Sequence, residues 1–349
     1  MSPSRRAAFV GAAAVAVGAV LPRLPTPVAS AMAATKGTRV PRPEAIEQAL
    51  AAAYKLARGV TSGKNADYIP YLAHVPSHLF GIAAMTPDGM LHQIGDTGYA
   101  FAIESISKAF TLALAIEQSG TAVVRKKIGA DPPGEPFNSV IALELHGDRP
   151  LNAFVNAGAI ATVSLIQAKD AAERWDRIIG IYDRFAGRKL TVNADVYKSE
   201  TATNQHNRAI AWLLKSAGTI YSDPTTALDI YTRQCSVAVT AGDLAVMGAT
   251  LCDGGVNPRT QQRVVSAEVT TRVLAEMTMN GLYDDTGNWI YRTGLPAKSG
   301  VGGGIMAVAP GRLAIAAFSP PLDTFGNSVR AQIAIREIAR QLGISIFRA

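Results

Sequence analysis

The sequence predicts a mixed α and β catalytic body: an antiparallel sheet built from both ends of the chain, flanked by helices, with a mostly helical middle. Three observations carry that prediction. A hairpin pattern runs from Gly81 to Asp96, a second from Gly303 to Phe318, and helical periodicity fills most of the stretch from Lys108 to about Asn280. Composition agrees, since a chain of 349 residues with 48% hydrophobic and 17% charged residues has ample apolar material for a buried core and lies far from the profile of a disordered chain.

Taken in order, residues 1–33 combine Arg5-Arg6, an apolar run from Ala7 to Leu21 and a small-residue site at Ala31-Met32-Ala33, the anatomy of a cleaved export signal. The arginine pair, with Arg23 after the apolar run, points to the twin-arginine type. The expected protein is exported, periplasmic or secreted, with no stable membrane anchor. That segment holds Arg5, Arg6 and Arg23 and no acid, so its removal takes the formal charge from +7 to +4, which gives no case for nucleic acid.

Residues 34–42 read as a linker, and a helix is expected from Pro43 to Arg58 with Ile46, Leu50, Ala53 and Leu56 on its apolar face. The first hairpin turns at Pro87-Asp88-Gly89. Helical segments follow at Ala171 to Ala186, Asn207 to Lys215, Thr226 to Cys235 and Ala241 to Cys252, and strand signals return only late, in the hairpin about Pro310-Gly311. A final helix is expected from Ser328 to Leu342. The catalytic domain therefore covers 43–349, with a sheet subdomain at about 43–104 and 291–349 and a helical subdomain at about 105–290. Cys235 and Cys252 are the only cysteines and read as two buried free thiols.

The chemistry is suggested by two short motifs in a fixed order. Ser105 and Lys108 form a Ser-x-x-Lys, and Lys298-Ser299-Gly300 follows near the other end, as in active-site-serine hydrolases. On a helix, residues three apart share a face, so the serine and a candidate base are expected to touch. A lysine serves as base only when burial or nearby positive charge keeps it neutral, and Lys298 is a candidate source of that charge. Alone the first motif is weak, because a chain of this length contains about one Ser-x-x-Lys by chance.

From Gly63 to Arg330 the chain resembles the bacterial and animal glutaminase family, which shares its fold with serine β-lactamases and penicillin-binding DD-peptidases. The resemblance rests on Gly63 to Pro70, Gly95-Asp96, Glu104 to Lys108, Phe154 to Ile160, Ser199-Glu200 with Asn207-Arg208, Tyr283-Asp284, Leu295 to Gly304 and Ser319 to Val329. It implies Ser105 as nucleophile, Lys108 as its base, and Tyr68 and Tyr283 as phenols that relay protons. It also implies Asn156, Glu200, Asn207, Tyr231, Tyr283 and Val301 around the substrate, with Glu200 on the ammonium of a free amino acid and amide and phenol donors on its carboxylate. The backbone N–H groups of Ser105 and Val301 would form the oxyanion hole. Taken singly, Tyr68 reads as a packing residue, Asn156 and Asn207 as caps, Glu200 as a solvated helix charge and Tyr231 as an apolar-face residue; the ordered match reverses those readings.

Two departures from the family pattern stand out. Ala153 occupies a position where Pro is usual, which implies a less rigid approach to Asn156, and Glu104 stands where some members have Gln. The glycine run Gly300 to Gly304 is not a phosphate loop, because Ala297 precedes Lys298 and Arg292 sits where the first Gly of a Walker motif belongs. His74 and His78 flank Pro76, and His92, His146 and His206 are isolated, so no catalytic metal and no cofactor are expected. The expected activity is hydrolysis of L-glutamine to L-glutamate and ammonia through an acyl-enzyme, by a homodimer or homotetramer. The rivals are an exported glutamine- or amino-acid-binding protein without catalysis and a β-lactamase- or peptidase-like serine acyl hydrolase.

Overall fold

Strands Gly81–Met85 (β1) and Leu91–Gly95 (β2) pair antiparallel across a turn at Gly89, whose φ of +94° lies in the region that favours glycine. The computed structural model describes residues 40–132, 134–147 and 149–348. The expected export signal and most of the linker lie outside these residues. Further strands are Phe101–Ala102 (β3), Thr191–Val192 (β4), Val237–Val239 (β5), Ala297–Gly300 (β6), Gly304–Ala309 (β7) and Leu313–Phe318 (β8). A five-stranded antiparallel sheet has the order β2-β1-β8-β7-β6, so it is assembled from both ends of the chain as predicted.

Strands β1, β7 and β8 are buried on both faces, and their side chains sort with a period of two. Ile82, Ile305, Ala307, Leu313, Ile315 and Ala317 join a core with Ile46, Leu50 and Ala53 of the helix Pro43–Ala57 and Ile335 and Ile338 of the helix Val329–Leu342. On the opposite face Met85, Met306, Val308, Ala314 and Phe318 join the larger core, which contains the helix Ala241–Cys252 and the helical middle. The first helix ends one residue early, and Leu56 is 55% exposed while Ala57 is fully buried, because four residues rather than three carry the face on from Ala53.

Strands do not return only late. β3, β4 and β5 form a second, three-stranded sheet in the order β3-β5-β4; runs of two or three residues are too short to show periodicity. This small sheet positions the site: β3 pairs with β5, and Ile103 N–H donates to Val237 O at 2.8 Å, fixing the chain immediately ahead of Ser105. The helices Ala171–Ala186 and Ala241–Cys252 have the expected bounds, and the expected helices at Asn207 and Thr226 extend to Gln205–Ser216 and Pro224–Cys235. Both cysteines are buried free thiols. Among the described residues no helix is long and apolar enough to cross a membrane.

Candidate active site

Ser105 sits in a single 3-10 turn, Glu104–Ile106, that runs into the helix Ser107–Ser119. Glu104 adopts φ +49°, a left-handed conformation that costs a non-glycine residue about 1–3 kcal/mol and persists where surrounding structure imposes it. The imposing neighbour is the glycine run. A Cβ on Gly300 would lie 2.7 Å from Ile103 O, and one on Gly302 would lie 2.3 Å from Ala102 O, so only glycine lets the Val301 backbone lie against the serine turn.

Lys108 is fully buried on the first turn of that helix. Its Nζ donates to Phe154 O at 2.9 Å and to Asn156 Oδ1 at 2.8 Å. Neither bond goes to Ser105, so the expected direct Ser105–Lys108 contact is not made in this structure; the Tyr283 phenol lies beside the Ser105 hydroxyl instead. Burial pushes the Lys108 ammonium down to about 8, against the opposing pull of Cys235, Glu104 and Glu200. Lys298 is not the cause. It too is fully buried, with Nζ donating to Gly281 O at 3.0 Å and Ser299 O at 2.8 Å, and burial followed by repulsion from Lys108 holds it well below the usual lysine range.

Tyr283 comes from a 3-10 turn, Tyr283–Asp285, and like Glu104 has a positive φ, +52°. Its ring lies between Phe137, at 4.4 Å between centroids, and Lys298 Nζ, 4.4 Å from the ring centre. Burial raises its phenol above the ordinary range, so it is a neutral donor and acceptor at physiological pH. Phe137 and Tyr283 also line a neighbouring cavity of about 200 Å³ with Asn280 and Asp284.

Tyr68, Ser105, Asn156, Glu200, Asn207, Tyr231 and Val301 line one pocket of about 190 Å³. Tyr68 is 57% exposed at its rim, and Lys108 lies beneath the floor. Asn156 opens the helix Asn156–Leu165 and fixes the polar wall: its Oδ1 accepts from Lys108 and from the Tyr231 hydroxyl at 3.2 Å, and its Nδ2 donates to Asn207 Oδ1 at 3.0 Å. The sequence reading missed Phe137, Asn138, Thr203, Asn204 and His206 in the lining. His206 Nε2 and Asn138 O, 2.5 Å apart, tie one rim to the other, a contact between residues 68 apart that no local pattern announces.

The approach to Asn156 is held without proline. Asn152 Oδ1 accepts from Phe154 N at 2.9 Å and Val155 N at 3.0 Å, and its Nδ2 donates to Asp131 O at 2.9 Å. The Ala153 N–H, a group that proline lacks, lies near the buried Glu276 carboxyl and helps to lower its pKa against the effect of burial. The expected loss of rigidity at Ala153 is therefore offset.

Glu104 and Glu200 bring two carboxyls to the same end of the pocket, only 3% and 7% exposed, each with one oxygen lacking a partner. Burial pushes Glu104 up to about 8, and burial with the Glu104 charge raises Glu200 well above the carboxylate range. The thiol of Cys235, one turn beyond Tyr231 on the same helix, completes a cluster whose three donor atoms lie within 4.8 Å of one another.

A serine hydroxyl beside a phenol, a buried lysine of lowered pKa and a polar pocket with unpaired carboxyl oxygens can support acyl transfer to serine from a small ammonium-bearing substrate. The family model described as Glutaminase matches residues 63–347. Glutaminases of Mycobacterium ulcerans and Brucella canis are 59% and 60% identical over 302 and 304 residues, covering 86% and 87% of this chain and 94% and 96% of theirs. A solved structure described as the probable glutaminase ybaS superposes with a TM-score of 0.87 at 54% identity, covering 88% of this chain and all of that one. One described as Mglu in its glutamate form gives 0.83 at 40%, covering 87% and 70%. The fold is thus the β-lactamase-like one that the resemblance implied, and this chain belongs to the glutaminase family.

Proposed function

We propose that the protein hydrolyses L-glutamine to L-glutamate and ammonia through a Ser105 acyl-enzyme. The observation that carries the reading is a single pocket with the Ser105 hydroxyl on one wall and the unpartnered, buried carboxyl oxygen of Glu200 on another. A free α-ammonium satisfies that oxygen, while the Tyr231 and Asn207 side chains serve the α-carboxylate and set the side-chain amide over Ser105.

Ser105 Oγ attacks the amide carbon, and its proton passes through the Tyr283 hydroxyl to neutral Lys108. The oxyanion is held by the backbone N–H groups of Ser105 and Val301. The proton then returns to the leaving nitrogen, and ammonia departs. Water attacks the acyl carbon, gives its proton to the same relay, and glutamate leaves as Ser105 recovers its hydrogen. Tyr68, at the rim, is the second phenol near the serine.

The test is ammonia release from L-glutamine by the mature protein and by Ser105→Ala, beside a chromogenic β-lactam. Glutamine turnover lost in the variant supports the reading. Glutamine binding without turnover in the wild type, or β-lactam cleavage alone, overturns it. We also place the protein outside the cytosol, by export through the twin-arginine-type signal of residues 1–33, and assign a homodimer or homotetramer. N-terminal sequencing of secreted protein should begin near Ala34, and sedimentation should give two or four chains; a cytosolic full-length monomer contradicts both.

A further inference from the structure

The cluster at the ammonium end of the pocket offers a second kind of chemistry. Glu104, Glu200 and Cys235 come from three separate elements, the serine turn, the helix Ala194–Thr203 and the last residue of the helix Pro224–Cys235, and the fold brings one oxygen, one oxygen and one sulfur within 4.8 Å of one another. All three side chains are more than nine-tenths buried. Glu104 Oε1 and Glu200 Oε2 lack partners, and both residues face the cavity, so the cluster is unsatisfied in a way that solvated surface acids are not.

A thiolate and two carboxylate oxygens make a three-ligand set with a fourth direction open to the pocket, which suits a tetrahedral, borderline-soft ion. Magnesium and calcium, which take six or more oxygens, are poorly served by one sulfur and two oxygens. Charge agrees. Three ionised ligands carry three negative charges, against which a divalent ion and the Lys108 ammonium leave the cluster neutral.

We propose that Glu104, Glu200 and Cys235 form a binding site for a divalent ion of the zinc class, and that occupancy switches the enzyme off. The thiol and any carboxyl protons leave to solvent as the ion binds, so charge and atoms balance without a further reactant. The ion occupies the place assigned above to the substrate ammonium, a step that rests on that assignment, and its retention of a protonated Lys108 removes the base. Inhibition is then competitive, with KM raised and kcat unchanged.

The experiment is equilibrium dialysis and calorimetry of the mature protein with ZnCl2, with ammonia release measured directly in parallel. One zinc per chain is expected. Removing even an outer-shell partner commonly weakens a metal about 10- to 100-fold, so Cys235→Ser is expected to weaken zinc by roughly 100-fold or more while retaining turnover. Cys252→Ser, at the other buried thiol, leaves zinc binding intact, and MgCl2 does not bind at the same concentrations. Equal zinc affinity in the wild type and Cys235→Ser overturns the site. If Cys235→Ser does not fold, Co2+ added to the wild type is the second readout: a thiolate-to-cobalt charge-transfer band retained in Cys252→Ser supports the site, and no band overturns it. Saturating L-glutamate is expected to displace zinc. Zinc that binds through Cys235 yet resists glutamate supports the metal site and removes the ammonium placement instead.

Discussion

In β1, β7 and β8 the side chains divide cleanly between two cores and no residue has a positive φ, whereas around Ser105 the chain tolerates what those strands exclude. There Glu104 and Tyr283 adopt left-handed φ, two lysines are fully buried, and two carboxyl oxygens lack partners. Those three strands bury apolar side chains; the pocket leaves polar groups for a substrate to satisfy. Strain and unpaired polarity concentrated at one end of a well-packed body mark where stability has been yielded for chemistry.

The contrast predicts that changes in the two regions fail in different ways. The largest effect on rate is expected at Lys108: Lys108→Met should lower kcat by roughly 10²- to 10⁴-fold, the usual worth of a positioned acid–base group, with the circular-dichroism spectrum retained. A loss below about threefold breaks the assignment of the base. In the sheet, Ile315→Ala should cost about 2–5 kcal/mol in denaturant unfolding, because Ile315 is fully buried in the core beneath the first and last helices. Its kcat per folded molecule should remain within about twofold, and a parallel loss of kcat would show that sheet and pocket are not separable.

The pH profile sharpens the comparison further. Lys108 must be neutral to accept a proton, and burial brings its pKa down to about 8. Activity should therefore fall as pH drops through about 8, about tenfold in kcat/KM per unit below it, and level off above. A profile flat from pH 6 to 9 excludes lysine as the titrating base. The smallest effect is expected from Glu104→Gln. The Glu104 charge raises the Lys108 pKa, so neutral glutamine should move the acid limb to lower pH by a fraction of a unit. A shift to higher pH contradicts the assigned sign.

How much of this was legible in the sequence follows from the range of the forces involved. Elements set by local pattern were readable: the helix Ala171–Ala186, both long hairpins and the terminal helix carry their periodicity and turn residues within a few positions. Strands β3, β4 and β5 were not, because they owe their existence to pairing across distant segments. In the site, the positions named for Ser105, Asn156, Glu200, Asn207, Tyr231 and Val301 converge on one pocket, a grouping that the family pattern supplied and spacing alone did not. The hydrogen bonds of Lys108 and the clustering of Cys235 with two glutamates depend on tertiary placement and left no local trace. Cys235 four residues after Tyr231 was the one available hint, since that spacing puts both on one helix face.

The most direct test of the central claim is mass spectrometry of enzyme quenched in acid during turnover of L-glutamine. The account predicts a mass increase of one glutamyl group, mapped to the peptide that contains Ser105 and lost in Ser105→Ala. Full turnover in Ser105→Ala, or an acyl group on any other residue, would contradict it.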